Sequence, residues 1–259
     1  MNGAHRMMKQ ICIFLFSLWL SAPGWAFDVG LPGSGKDPAG SYALELVAER
    51  FEREIHQDIR GLNDTFFGKQ EEARLYTRLS YRLRPDWWLL AHAGMSDSEG
   101  SEDPAVLLGA TAMWSRPFGR GAEAHVYLGG QWVDGITYQR AGGEVAGVLT
   151  ADETRKEQHV EGTLGFYVST NFDLNESWDL APYIGMQLSF FRGTGEESFF
   201  FAGAPELPGG RVSGIDFKED GQLGSTLGLR LDGPAGWYLR VEGRIIDQKS
   251  LSAGLGRDF

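Results

Sequence analysis

The stretch ARLYTRLSYRL, residues 73–83, decides how this chain folds. One set of alternate positions is Leu75, Thr77, Leu79, Tyr81 and Leu83. The other is Arg74, Tyr76, Arg78, Ser80 and Arg82. Successive side chains of an extended chain point to opposite faces, so this reads as a strand with one greasy face and one charged face. Working outward, the same period of two recurs. In 122–134, Ala124, Val126, Leu128, Gly130 and Trp132 oppose Glu123, His125, Tyr127, Gly129 and Gln131. In 159–171, Val160, Leu164, Phe166 and Val168 oppose Glu161, Thr163, Tyr167, Ser169 and Asn171. Leu223, Leu227, Leu229 and Leu231 oppose Thr226, Gly228 and Arg230. Trp237, Leu239, Val241 and Ile245 oppose Tyr238, Arg240, Glu242 and Arg244.

Ten alternating segments are expected, at about 41–56, 71–83, 87–97, 105–116, 122–134, 159–172, 178–193, 219–232, 236–247 and 249–259. The first breaks its alternation near Arg50, which predicts a bulge there. Four connections are short and rich in turn formers: RPDW (84–87), SRPFGRG (115–121), LNESWD (174–179) and DGPAG (232–236). The others are long and polar, above all 135–158 and 194–218, except for a short turn near Gln248. Short turns on one side and long loops on the other are the layout of a bacterial outer-membrane barrel. A soluble β-sandwich has no reason to sort its loops in this way.

Alternation alone does not say which face meets water. Here the apolar faces carry large aliphatics with almost no polar interruption. Aromatics collect beside the short turns: Trp87, Trp88, Phe118, Trp178, Trp237 and Phe259. These read as a girdle at one membrane interface, with Trp87, Trp88, Trp178 and Trp237 at its centre. The fold class expected is therefore all-β: a closed, antiparallel, up-and-down transmembrane barrel over 41–259, with ten strands, or eight as the alternative, and both termini in the periplasm.

The first 26 residues fit no part of that barrel. Arg6 and Lys9 precede the apolar run ICIFLFSLWL (11–20), and SAPGWA (21–26) supplies Gly24 and Ala26. This is the layout of a secretory signal peptide cut after Ala26. The apolar run is about half the roughly 20 residues of a spanning helix. Residues 27–40 read as a flexible Gly/Pro-rich lead. Removing Cys12 with the leader leaves no thiol chemistry, and removing Arg6 and Lys9 takes the formal charge from −11 to −13. An acidic balance argues against nucleic acid as a partner.

The chain ends on an alternating strand, Leu251, Ala253, Leu255, Arg257 and Phe259. Phe259, with Leu255 and Leu251 before it, resembles the C-terminal signal that the barrel-assembly machinery of outer-membrane proteins recognises. WDLAPYIGMQLSFF (178–191) is similar to the Trp-x-Pro-Tyr-x-Gly strand of small barrels of the opacity-protein and OmpW-like kind, with two extra residues between Trp178 and Pro182. The resemblance implies a small outer-membrane barrel in contact with lipid and lipopolysaccharide. Arg257 stands where that pattern has an apolar or aromatic residue, and its position near the chain end lets it snorkel to the interface.

The inferred lumen carries Glu45, Glu49, Arg74, Arg78, Arg82, His92, Glu123, His125, Glu161, Arg230, Arg240, Glu242 and Arg244. Both signs in so narrow a space ask to pair. Two readings stand open: a structural ion-pair core, or a narrow polar path for small solutes or ions, anion-preferring if several arginines stay unpaired. No metal or cofactor constellation is present, and AGGEVAG (141–147) lacks the lysine and strand–helix context of a phosphate loop. Two further classes are a surface-interaction barrel acting through 135–158 and 194–218, and an omptin-like rim hydrolase. For the hydrolase the nearest groups are His56, Asp58, Asp97 and Glu99, whose order departs from the omptin pattern. A lipid hydrolase would need a Ser–His–acid set facing lipid, whereas His92 and His125 fall on the lumen face. Phe199, Phe200 and Phe201 are expected to fold inward over the mouth.

Overall fold

The computed structural model describes residues 30–31, 38–59, 65–119, 121–140, 143–145, 148–150, 152–200, 210–219, 223–245 and 248–259. The leader and most of the lead lie outside them. The strands are β1 (Tyr42–Ile59), β2 (Thr65–Arg84), β3 (Trp87–Ser98), β4 (Ala105–Phe118), β5 (Ala122–Arg140), β6 (Gly143–Val145), β7 (Val148–Thr150), β8 (Asp152–Thr170), β9 (Phe172–Asn175), β10 (Trp178–Phe200), β11 (Gly210–Glu219), β12 (Leu223–Asp232), β13 (Trp237–Ile245) and β14 (Gln248–Asp258).

Ten of them, β1, β2, β3, β4, β5, β8, β10, β12, β13 and β14, pair antiparallel in that order, and β14 pairs back onto β1. The closing seam runs from Ala43 opposite Asp258 to Arg53 opposite Gln248. At its end the Phe259 amide donates to the Tyr42 carbonyl at 2.8 Å, and the two rings stack with centroids 5.0 Å apart. A closed ring leaves no strand edge, the condition for a sheet to sit in hydrocarbon.

The faces are inverted relative to a soluble protein. Leu128, Ile184 and Leu227 are 62–65% exposed, whereas Arg78, Arg230 and Arg240 are 0–1% exposed. Leucines displayed and arginines enclosed is the arrangement that lipid selects and water forbids.

The structure corrects three expectations. β1 has no bulge near Arg50, since its register against β2 holds unbroken from Tyr42↔Tyr81 to Asp58↔Thr65. Glu45, Val47, Glu49, Phe51 and Arg53 all turn inward. The sequence pattern looked broken because Val47 and Phe51 are apolar inside while Arg50 and Glu54 are polar outside. Trp88 is not part of the girdle: it is buried in the lumen beneath the Arg82 guanidinium, because a period of two that turns Trp87 outward turns its neighbour inward. Finally, the stretches expected as long loops are largely strand. β5 and β8 stay paired out to Arg140↔Glu153, and β10 continues beside β8 to Phe200.

Those extensions carry the barrel past the membrane. Outward positions there turn polar: Arg50 and Glu54 on β1, Lys156 and Gln158 on β8, Arg192 and Thr194 on β10. The ring also loses members as it rises. Above the short β13–β14 hairpin, β11 pairs with β10 (Thr194↔Asp216) and with β1 (Asp58↔Asp216). Above the β3–β4 hairpin, the Glu99 amide reaches the Glu71 carbonyl on β2 at 2.9 Å, and the Glu102 amide reaches Thr137 on β5 at 2.8 Å. Fewer strands enclose a narrower bore. A register shift at Gly135, with φ of +93°, bends β5 where this outer tier begins.

Placing an arginine on the lipid face tests the inversion. Leu227→Arg, at the middle of β12, is expected to cost about 2–4 kcal/mol, and Leu83→Arg beside a periplasmic turn about 1 kcal/mol or less. Reversible urea unfolding in lipid vesicles measures both.

Candidate functional site: the lumen and its outer mouth

Of the thirteen charged residues assigned to the lumen, twelve are buried, and Glu123 is half-buried. They form tiers. In the middle of the barrel, Glu45 on β1 accepts hydrogen bonds from Arg78 on β2 and from Nε of Arg240 on β13 at 2.9 Å. Glu242, also on β13, accepts from the Tyr183 hydroxyl at 2.7 Å and from Nη2 of Arg244 at 2.7 Å. Glycines open room for these groups: Gly254 lies under the Glu45 carboxylate and Gly228 under the Tyr183 ring, where any Cβ would collide. Glu49 is buried among them, and the His92 ring leans on Tyr76 at 5.4 Å.

The tier above centres on Glu161 of β8. Its oxygens accept from Arg53, from Arg74 Nη2 at 2.6 Å and from Arg74 Nη1 at 3.1 Å. Arg74 also reaches Glu72 at 2.7 Å, and Glu72 accepts from Ser96 and Gln70, each at 2.6 Å. His159 stands 3.4 Å from Glu161 and 3.6 Å from Glu72. The Arg74 and Arg53 guanidinium groups both lie over the Phe51 ring, at 3.9 and 4.5 Å. β1 and β8 stand five places apart in a ring of ten, so Arg53–Glu161 crosses the full width of the bore. Arg53, Glu72 and His159 escaped the sequence reading. Their parity matches Phe51, Arg74 and Glu161, and that signal could have found them.

The periplasmic end is filled differently. Gly30 and Leu31 of the N-terminal lead sit inside the barrel. The Tyr167 hydroxyl donates to the Gly30 carbonyl at 2.7 Å, and Arg230 Nη1 donates to the Leu31 carbonyl at 3.2 Å. Leu31 packs with Trp88, Leu90, Met113, Tyr127 and Tyr183. Arg230 also pairs with Asp232 at 2.7 Å and Asp258 at 2.6 Å. Nearby, His125 lies between the hydroxyls of Ser115 and Ser169, at 2.8 and 2.9 Å, with Glu123 at 3.8 Å. Arg82 donates to the Pro85 carbonyl.

Toward lipid, Leu255 and Phe259 are exposed and Leu251 is half-exposed. Trp87 and Trp237 are exposed, Trp178 is half-buried, and Arg257 lies over the Trp237 and Phe259 rings at 5.7 and 5.0 Å. Among the proposed hydrolase groups, the side chains of His56 and Asp58 lie outside the described residues. The backbone pairs His56 with Phe67 and Asp97 with Ala73, six residues apart on β2, or about 20 Å. Asp97 instead accepts from Ser101 at 3.2 Å. The side chains of Phe199 and Phe200, and all of Phe201, also lie outside the described residues.

Above the Glu161 tier a cavity of about 460 Å³ opens outward between β1, β2, β5, β8 and β10. Tyr138 and Glu157 line it, and burial pushes the carboxyl of Glu157 up from its ordinary value while Arg155 opposes. Among the described residues no helix is long and apolar enough to cross a membrane, and no group of His, Cys, Asp or Glu is arranged to hold a metal ion.

A closed barrel with an aliphatic exterior, a paired ionic interior and short turns at one end defines an integral β-barrel of the bacterial outer-membrane kind. No protein-family model matches the chain, and no curated protein does. Solved structures similar to it include the outer membrane protease OmpT from Escherichia coli, at 9% identity over 87% of this chain and 100% of that one, TM-score 0.49. The translocator domain of the autotransporter NalP from Neisseria meningitidis aligns at 12% identity over 100% and 96%, TM-score 0.41. The outer membrane protein OprG from Pseudomonas aeruginosa aligns at 13% identity over 89% and 99%, TM-score 0.37. At these identities and scores no residue role transfers from any of them.

Arg74→Ala leaves Glu72 without a guanidinium partner and Glu161 with Arg53 alone, and is expected to cost about 3–5 kcal/mol. Arg50→Ala removes an exposed pair with Glu71, 3.2 Å long, and should cost about 1 kcal/mol or less. Urea titrations of both variants in lipid give the comparison.

Proposed function

We propose that this chain is a non-enzymatic, non-conducting outer-membrane barrel: its lumen is a structural core, and its working surface is the outer tier. The carrying observation is the strap across the bore, in which Arg53 and Arg74 converge on Glu161 from the opposite side of the ring. Conduction would require wetted lining groups. Here Arg53, Glu72 and Arg74 are 1–2% exposed, too enclosed for water to pass beside them. The inward arginines Arg74, Arg78, Arg230, Arg240 and Arg244 each meet a carboxylate, which removes the basis for an anion-selective path. Leu31 adds an apolar stop below. What remains accessible is the outer tier, built of paired strands where long loops were expected.

Planar-bilayer recording tests this. The purified chain is expected to insert without stepwise conductance, over a range of salt and voltage. Discrete, reproducible channel steps from the same preparation would overturn the closed lumen.

A further inference from the structure

The periplasmic half of the lumen differs in kind from the ionic tiers above it. Trp88 and Leu90 on β3, Met113 on β4, Tyr127 on β5, Tyr167 on β8 and Tyr183 on β10 gather there into one apolar cluster. The tyrosine rings pack in sequence, Tyr127 to Tyr167 at 5.5 Å and Tyr167 to Tyr183 at 5.3 Å. An aromatic cup at the mouth of a bore is stabilised when an apolar group fills it, and the side chain that does so is Leu31, 3% exposed.

The cup also reads the main chain of its occupant. The Tyr167 hydroxyl takes the Gly30 carbonyl at 2.7 Å, and Arg230 Nη1 takes the Leu31 carbonyl at 3.2 Å. Donors for successive carbonyls beside a pocket for one side chain are the parts of a peptide-recognition site. Glycine is selected as well. Gly30 has φ of +55°, and a Cβ there would strike the Arg240 guanidinium, which Glu45 holds at 2.9 Å. The seat therefore specifies glycine followed by an aliphatic residue.

The occupant is separable from its walls. Gly30 and Leu31 belong to no strand, whereas the cup residues lie on strands paired along both edges. Two hydrogen bonds and one leucine hold the lead, and a segment with so few contacts opens locally, without unfolding the barrel. Arg230 keeps Asp232 and Asp258 when the lead withdraws, so no buried cation is stranded.

We infer that the lower lumen is a peptide-binding chamber whose resident, exchangeable occupant is the chain's own lead, seated through Gly30 and Leu31. The chamber is a second site, at the opposite end from the outer tier, and does not depend on what that tier does.

Methionine-methyl NMR of the chain without its leader, in lipid nanodiscs, tests it. Three methionines remain: Met113 is fully buried in the cup, with its sulfur 3.2 Å from the Tyr167 hydroxyl, while Met95 and Met186 face lipid. Gly30→Val and Leu31→Ser are each expected to move the Met113 signal and leave the other two in place. Adding the peptide DVGLPGSG, residues 28–35, to Gly30→Val should return Met113 saturably to its original position. The same peptide with serine in place of leucine should bind about 10–100-fold more weakly. Circular dichroism and heat-modified gel migration establish that each variant is folded, and if one is not, the other carries the test. A Met113 signal unmoved in the folded variants would overturn the inference, as would a signal that millimolar peptide fails to restore. Either failure leaves the closed lumen standing, since the Arg53–Glu161 strap lies above the cup. Conductance steps alongside intact peptide exchange would overturn the strap alone.

Discussion

Hydrocarbon offers no hydrogen bonds, and this one condition shapes the molecule. A sheet can enter it only if its last strand pairs with its first, which β14 does with β1 over Ala43–Arg53. Once the ring is closed, each strand has an inside and an outside, and a period of two distributes the side chains between them. The leucines must go outward because no other surface meets lipid. The arginines and glutamates must then go inward, into a bore that ten strands make too narrow for free ions.

That confinement explains the ion-pair tiers. An enclosed guanidinium left alone carries a desolvation penalty of several kcal/mol, so each is surrounded by carboxylates, hydroxyls or ring faces. The pairing extends across the bore as well as between neighbours, with Glu161 meeting Arg53 from the opposite wall. Cross-lumen pairs tie strands that no backbone hydrogen bond connects. They serve as the core that a soluble protein builds from leucine. Below them the lead contributes Gly30, whose φ of +55° and missing side chain let it pass against the Arg240 guanidinium.

Much of this was legible in the sequence. Parity along 73–83, 122–134 and 237–245 assigns the inward charges before any coordinates, because strand geometry leaves each side chain one choice of face. What escaped were features set by the partner strand. The continuation of β5 and β8 beyond the membrane shows no hydrophobic alternation, since both its faces meet polar surroundings. Arg53 and Glu72 lie within segments already read as strand, where parity with Phe51 and Arg74 turns them inward. Trp88 was misassigned because an aromatic beside a turn suits the interface in composition, while only parity says which of two adjacent tryptophans reaches it. The approach of Gly30 and Leu31 to the lumen has no periodic signal; it depends on Tyr167 and Arg230, far away in sequence. The outer cavity, assembled from five strands and a hairpin tip, was equally invisible.

One experiment reads the inversion without perturbing the ion pairs. Nitroxide labels placed singly at Tyr127, Leu128, Thr226 and Leu227, in lipid bilayers, report their collision rate with oxygen, which partitions into hydrocarbon. High oxygen accessibility at positions 128 and 227, with low values at 127 and 226, is the expected pattern. The opposite parity, or equal values at neighbouring positions, would mean that the aliphatic faces do not meet lipid and that the barrel is built the other way round.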